Sequence, residues 1–125
     1  MNIFREIYDT YAVINGYLLN EETKANSQKI KDYRANMRAV NDKAYFVVLF
    51  SRLEVTIKDK FKKKHPDIKS PTFRDMVSSI TPDTGQIYKS ITYYYGLRNK
   101  IAHGAMKYSS INIADFIRFI NTEII

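Results

Sequence analysis

The chain has 125 residues, the length of one domain with a single hydrophobic core. Hydrophobic residues make up 45% of it, a globular proportion that argues against wholesale disorder. Its 20 Lys and Arg residues against 13 Asp and Glu give a net charge of +7, which favours polyanionic partners such as nucleic acid. The absence of cysteine excludes a disulfide framework and a thiolate metal site.

No apolar run is long enough to cross a bilayer, and the first residues, Met1 to Glu6, lack the basic-then-apolar order of a secretory signal. We therefore expect a cytoplasmic protein that makes no membrane contact. The length is that of one domain, and there are no repeats or low-complexity segments, so a single domain is expected over residues 1–125.

Apolar residues recur every three or four positions nearly throughout, which predicts an all-α fold. A first series runs from Phe4 to Leu18, a second from Ile30 to Ala44 and a third from Tyr45 to Phe61. One helix over residues 22–64 would be roughly 65 Å long, too long for so small a globule unless it projects into a partner. The sequence therefore predicts a break near Asn41-Asp42, whose side chains suit the start of a new helix.

The second half of the chain contains three further predicted helices. His65-Pro66 ends the long region, because the residue before proline disfavours the α conformation, and Ser70-Pro71 is predicted to open a short helix with proline in its first turn. Helical spacing resumes over residues 86–102, with Gly104 suited to the position after the helix end, and a last helix is predicted near residues 112–123. Together the elements predict a four- to five-helix bundle.

Arg98 occupies an unusual position in the fourth predicted helix. It falls on the apolar stripe of that helix, together with Ile87, Ile91, Tyr94 and Ile101. An arginine there must be paired, or must face a ligand or a second subunit, because a lone buried guanidinium is costly. His103 lies about 140° around an ideal helix from Arg98, but a turn at the helix end could bring both side chains to one cleft. Asn99, four residues before His103, could orient the histidine.

A purely structural interpretation of these residues stays open. Arg98, Lys100 and His103 lie in the last turn before Gly104, where cations complement the helix dipole. The spacing of one arginine and one histidine is also weak evidence by itself. One alternative is therefore a structural helical protein with a well-capped helix end.

The segment Leu97-Arg98-Asn99-Lys100-Ile101-Ala102-His103-Gly104 resembles the signature of the HEPN superfamily: an arginine, four to six residues and a histidine, with a polar residue, often Asn, after the arginine. The resemblance implies a homodimeric helical bundle that cuts RNA without a metal or other cofactor. It also implies catalytic roles for Arg98 and His103, with Asn99 as their polar companion. Because the superfamily includes toxins, phage-defence effectors and inactive modules, a non-catalytic dimerisation or RNA-binding module is the second interpretation. An antitoxin or another defence-system protein is a further expected partner.

These residue types suit RNA cleavage by the ribose 2′-OH. The substrate supplies the nucleophile, a histidine that titrates near neutrality transfers the proton, and an arginine stabilises charge on the phosphoryl oxygens. Efficient cleavage needs both a base and an acid, and the other histidine, His65, is far away in sequence. We therefore expect two copies of His103 to meet across a two-fold axis.

Each of the other candidate residues has two interpretations, a role in the site and a purely structural role. Glu54 is predicted either to hold Arg98, as an acidic residue of the neighbouring helix does in HEPN proteins, or to form a surface pair with Lys58. A lysine-rich surface is predicted either to bind RNA phosphates or to be a solvated helix end; it comprises Lys58, Lys62, Lys63, Lys64 and Lys100.

Consecutive tyrosines at positions 93–95 cannot all face the core. Tyr94 is predicted in the core or an interface, and Tyr95 is the candidate for stacking on a base. Some HEPN toxins are modified on a tyrosine two residues after the histidine, but Ala105 stands there and the next tyrosine is Tyr108, so control by that route is not expected. No phosphate-binding glycine loop or metal-ligand spacing is present, which disfavours a metal-dependent nuclease.

Overall fold

Every element that the structure describes is helical, as the periodicity predicts. The structure is a computed structural model that describes residues 2–82, 85–104 and 111–125. The helices are α1 (Ile3–Thr23), α2 (Gln28–Lys64), α3 (Phe73–Ile80), α4 (Gln86–Ala102) and α5 (Ile113–Phe119), and a π-helical turn, Ile120–Ile124, continues α5. The prediction of an all-α bundle is confirmed. None of the described helices is both long and apolar enough to span a bilayer.

α2 is one uninterrupted helix of 37 residues, so the predicted break near Asn41-Asp42 is wrong. The side chain of Asp42 is buried and accepts a hydrogen bond of 2.6 Å from the hydroxyl of Tyr11 in α1. A carboxylate satisfied by a neighbouring helix does not compete for backbone N–H groups, and the helix therefore continues through it. At about 1.5 Å per residue, α2 is roughly 55 Å long.

The two halves of α2 have different surroundings. The second half forms the centre of the core, and each of its largest buried residues is fully inaccessible: Phe46, Leu49, Phe50, Leu53 and Ile57. Phe116 of α5 packs against Phe46 with ring centroids 4.8 Å apart. Before Asp42, α2 has no buried residue and packs along α1 as an antiparallel hairpin, in which Arg38 pairs with Glu22 at 2.9 Å.

The ends of the shorter helices follow from local hydrogen bonding. α3 begins after Thr72, whose side chain and that of Asp75 form a reciprocal capping box. Pro71 therefore precedes the cap, and its predicted position in the first turn is wrong. α4 ends as predicted, because Gly104 follows the C-cap with a φ of +72°, a conformation that glycine adopts without strain. Asn112 caps α5 by accepting from the backbone N–H of Asp115.

We expect Tyr11→Phe to lower the free energy of unfolding by about 2 kcal/mol at neutral pH, because a hydrogen bond to a buried carboxyl group is lost. Asp42 remains buried in that variant without its only described hydrogen-bond partner. Urea unfolding followed by circular dichroism measures the change. Tyr17→Phe, on an exposed side of α1, is the matched control and should leave stability unchanged.

Burial also raises the pKa of Asp42, although the hydrogen bond from Tyr11 opposes that rise. The folded state therefore binds this proton more tightly than the unfolded state does. Stability from this group is greatest at low pH and declines as pH rises from the ordinary aspartate pKa through the raised one. Asp42→Asn keeps an acceptor for Tyr11 and should remove that decline, and an unchanged pH profile would contradict this account.

Candidate functional site

α4 brings Arg98 from the core to the surface at one edge of the bundle. Ile91, near the middle of α4, is fully buried, and Tyr94 packs between Phe46 and Phe116. One turn later, the side chain of Arg98 is 37% exposed, and its Nε lies 3.8 Å from Oε1 of Glu54 in α2. Arg98 is thus partly exposed and has Glu54 as an ion-pair partner. The predicted contact between Glu54 and Arg98 is present, while its role in a reaction stays a prediction.

Arg98 and Glu54 line an open groove of about 780 Å³. Its walls come from the second half of α2, the loop over residues 68–71, α3 and α4. Apolar lining is supplied by Val55, Phe61, Ile68, Pro71 and Met76, and the cationic groups are Lys58, Lys62, Lys69 and Arg98. With four cations around a single carboxylate, the groove is strongly basic and suits an anionic ligand that also has apolar faces.

The loop wall of the groove has an unusual backbone. Ser70 has a φ of +52°, in the left-handed region that residues other than glycine seldom adopt. It stands between Lys69 and Pro71, which both line the groove. Such conformations persist where surrounding structure imposes them, and they are frequent beside ligand-binding sites.

The lysine-rich surface divides into residues that line the groove and residues that do not. Lys58 and Lys62 line it, as does Lys69, which the sequence interpretation missed because only the fold brings the 68–71 loop against α2. Lys64 instead donates to the carbonyl of Ser79 at 2.8 Å. Lys63 and Lys100 are exposed outside the groove. The RNA-binding prediction therefore applies best to Lys58 and Lys62.

Asn99 contacts the arginine of the motif. Its Oδ1 accepts a hydrogen bond of 3.2 Å from Nη1 of Arg98. The prediction that its side chain orients His103 is therefore not met in this structure; the link between the two is the backbone bond from His103 N–H to the Asn99 carbonyl, 3.1 Å long. Glu54, by a partly exposed ion pair, and Asn99, by this hydrogen bond, are thus the described polar contacts of the guanidinium.

His103 caps the end of α4 and is exposed. Among the described residues, the groove lining includes Arg98 but not His103, so a single chain does not bring these two side chains together in the groove. Ala105 and Tyr108, considered above for tyrosine modification, lie outside the described residues.

The aromatic residues of α4 serve mainly in packing. Tyr94 is half-buried among aromatic rings of the core, as predicted. Tyr95 stacks on Phe73 with ring centroids 4.5 Å apart and also contacts Phe50. Because a face of its ring is already covered, the predicted stacking of Tyr95 on a base is not supported.

His65 lies closer to the groove than its position in the sequence indicates. It caps the end of α2, and its ring centroid is 5.1 Å from that of Phe61, which lines the groove. The i,i+4 spacing of these two residues could have revealed the contact. The imidazole of His65 thus contacts Phe61, which lines the same groove as Arg98.

Metal binding has no candidate site in the part of the chain that the structure describes: no three side chains of His, Cys, Asp or Glu are grouped there as ligands. Comparison with protein-family models, with curated proteins and with solved structures found no match. The likeness to HEPN proteins therefore depends on the motif over residues 97–104 and on the helical architecture.

Proposed function

We propose that this protein is a metal-independent endoribonuclease that cleaves RNA by attack of a ribose 2′-OH on the adjacent phosphate. The observation that carries the proposal is the position of Arg98, which contacts Glu54 and Asn99 and lines a groove that is also lined by three lysines. The donors of an arginine suit a phosphoryl group, because negative charge builds on its oxygens in the transition state.

In the proposed reaction the 2′ oxygen forms a bond to phosphorus, and the bond from phosphorus to the 5′ oxygen breaks. A base removes the proton of the 2′-OH, and an acid gives a proton to the departing 5′ oxygen. The products are a 2′,3′-cyclic phosphate and a 5′-OH. His103 is proposed for one of these proton transfers, since a neutral imidazole accepts a proton and an imidazolium donates one.

Two groups are candidates for the other proton transfer. One is His103 of a second copy in a homodimer, which the resemblance implies. The other is His65, whose ring lies against a residue of the groove. His65→Ala separates them, because it should reduce cleavage only if His65 takes part.

Cleavage of a short RNA in the presence of EDTA tests the proposal directly. The expected products carry a 2′,3′-cyclic phosphate, which mass spectrometry identifies. A matched RNA with one 2′-deoxy nucleotide at the cut position should resist cleavage there, because the nucleophile is missing. Cleavage of both RNAs at the same site, or no cleavage of any RNA, would contradict the proposed reaction.

We expect Lys58→Ala and Lys62→Ala each to weaken RNA binding. Each should also make the logarithm of the binding constant less steep against the logarithm of salt concentration, by the amount expected for about one phosphate contact. The reason is that both lysines line the groove. Lys63→Ala is the matched control, because Lys63 is an exposed neighbour outside the groove and should leave the slope unchanged. Fluorescence anisotropy over a range of salt concentrations provides the measurement, and equal slopes for the three variants would contradict this assignment.

A non-catalytic RNA-binding and dimerisation module is the second candidate function. It is favoured by the position of His103 outside the groove lining, since binding needs the basic groove but not the histidine. Retained RNA binding without cleavage would support the module. The toxin or defence setting implied by the motif predicts that expression slows growth and that Arg98→Ala and His103→Ala relieve it.

A further inference from the structure

The α2 side of the groove carries a row of charged side chains, which we call the charged row. Glu54, Lys58 and Lys62 are four residues apart, so they follow one another at about 6 Å along one side of the helix. Arg98 of α4 joins the row at Glu54, with which it forms the ion pair of 3.8 Å. All four residues line the groove. The three cations of the row are therefore spaced at intervals of about one helical turn.

The lysines of the charged row differ from the other lysines beside them on α2. Lys60 and Lys64 donate to backbone carbonyls, at 2.7 Å in the π-helical turn and at 2.8 Å in α3. Within the described residues, Lys58 and Lys62 form no ion pair and no side-chain hydrogen bond. The charges of Lys58 and Lys62 are therefore available to a ligand, while Lys60 and Lys64 serve in packing.

The wall that faces the charged row follows it along α2. The chain leaves α2 at His65 and reaches Phe73, whose ring packs on that of Phe50 with centroids 5.9 Å apart. Because Phe50 lies about 22 Å back along the helix, residues 66–72 return beside α2 in a nearly extended path. This wall and the adjoining α3 contribute apolar side chains to the groove: Ile68, Pro71 and Met76.

A single RNA strand suits a groove with one charged side and one apolar side. Its phosphates repeat along one edge, and its unpaired bases are free to lie against apolar side chains. Ile68 is 51% exposed, so part of the apolar wall is open to such a base. A duplex has its bases stacked inside and would contact the charged row but not the facing wall.

We propose that Arg98, Lys58 and Lys62 bind three successive phosphates of one RNA strand, and that the phosphate at Arg98 is the one that is cut. Lys58 then binds the next phosphate and Lys62 the one beyond it, both on the same side of the cut. The bases of these nucleotides lie against the apolar wall. This register rests on the proposed function, because it identifies the cut phosphate with the one that Arg98 stabilises.

In this register, His65 is too far from the cut phosphate to transfer a proton. It follows Glu54 by eleven residues, about 16 Å along α2. A group that transfers a proton must come within about 3 Å of the reacting oxygen. We therefore expect His65→Ala to leave the cleavage rate unchanged, and a slower rate in the folded variant would contradict the register.

Binding of oligonucleotides of increasing length tests the three phosphate positions without any cleavage. The probes are 2′-O-methyl oligouridylates with one to five phosphates, which lack the nucleophile, and titration followed by NMR measures weak association. The association constant should rise roughly twofold to fivefold with each of the first three phosphates, the effect of an exposed ion pair, and then level off. Lys62→Ala should level off at two phosphates, and Lys63→Ala, the matched control outside the groove, at three. Identical profiles for these two variants would overturn the proposal.

The apolar wall is tested with a change at Ile68. Ile68→Ser should weaken binding of the oligouridylates but not of abasic strands with the same number of phosphates. Val13→Ser is the matched control, because Val13 is 74% exposed on α1, and it should change neither affinity. A duplex that binds as tightly as the single strand, or an equal effect of Ile68→Ser on both kinds of strand, would show that bases do not contact the wall.

The register is tested by replacing single phosphates near the cut of a short RNA with neutral methylphosphonates. Two successive replacements on one side of the cut should each slow cleavage roughly twofold to fivefold. The nearer replacement should lose its effect in Lys58→Ala and the farther one in Lys62→Ala, because the contact is already missing there. Lys63→Ala should keep both effects. The reverse order, or the same position for both lysines, would make the register wrong.

These experiments separate failure of the register from failure of the ribonuclease proposal. Cleavage that proceeds normally while binding levels off at another length would overturn the charged row and leave the ribonuclease intact. Binding that levels off at three phosphates without cleavage of any RNA would overturn the assignment of a cut phosphate. In that case the charged row would remain as the RNA site of a non-catalytic module.

Discussion

Arg98→Ala is expected to reduce the rate of RNA cleavage by a factor on the order of 100 to 1,000, the usual effect of removing one donor to developing negative charge. His103→Ala is expected to cost on the order of 100- to 10,000-fold, the range for loss of general acid or base catalysis. Single-turnover cleavage in EDTA measures both. Because Arg98 is partly exposed and His103 is fully at the surface, neither change should alter stability by more than about 0.5 kcal/mol.

Arg52→Ala is the control for Arg98→Ala, because Arg52 is an exposed arginine of α2 outside the groove lining. It removes the same charge from the protein and should leave the rate unchanged. If Arg52→Ala and Arg98→Ala slow cleavage equally, the effect is one of overall charge and the assignment of Arg98 is wrong. Full activity in His103→Ala would exclude the histidine from proton transfer.

The pH profile adds a separate test of the histidine. An imidazole that acts as base must be neutral, and one that acts as acid must be protonated. If His103 and His65 share these tasks, the rate should rise and then fall as pH increases, and removing one of the two histidines should abolish one limb of that curve. A profile that stays the same in His103→Ala would exclude a role for His103 in either limb.

Local sequence signals predicted much of the fold, because the decisive interactions for helix ends lie within a few residues. Gly104, with its positive φ, ends α4 where expected, and Asn112 caps α5. The start of α3 differs from the prediction by a few residues, since Thr72 and Asp75 form a capping box that outweighs the preference of Pro71 for a first turn. In each case the determinant is local: a backbone conformation at Gly104, and a short-range hydrogen bond at Asn112 and at Thr72.

The interactions that sequence could not predict join residues far apart in the chain. Asp42 is of a residue type that often caps helices, but its hydrogen-bond partner is Tyr11, 31 residues earlier. Likewise, Lys69 enters the groove only because its loop folds back on α2. Glu54 was a candidate partner for Arg98 on the resemblance, and the fold brings the two side chains to 3.8 Å. Packing between helices thus decided the path of α2 and the lining of the groove.

The continuity of α2 leads to the second large effect: Asn41→Pro is expected to destabilise the protein by about 3 kcal/mol or more. Residue 41 lies inside the 37-residue helix, and proline there removes a backbone hydrogen bond and collides with the preceding turn. Urea unfolding measures the loss. Gln28→Pro is the matched control, because the first residue of α2 has no N–H bond within the helix to lose.

A break at Asn41 would make the same proline harmless, so the two variants separate a continuous α2 from an interrupted one. If Asn41→Pro is as stable as Gln28→Pro, residue 41 does not lie inside a continuous helix, and α2 is interrupted there.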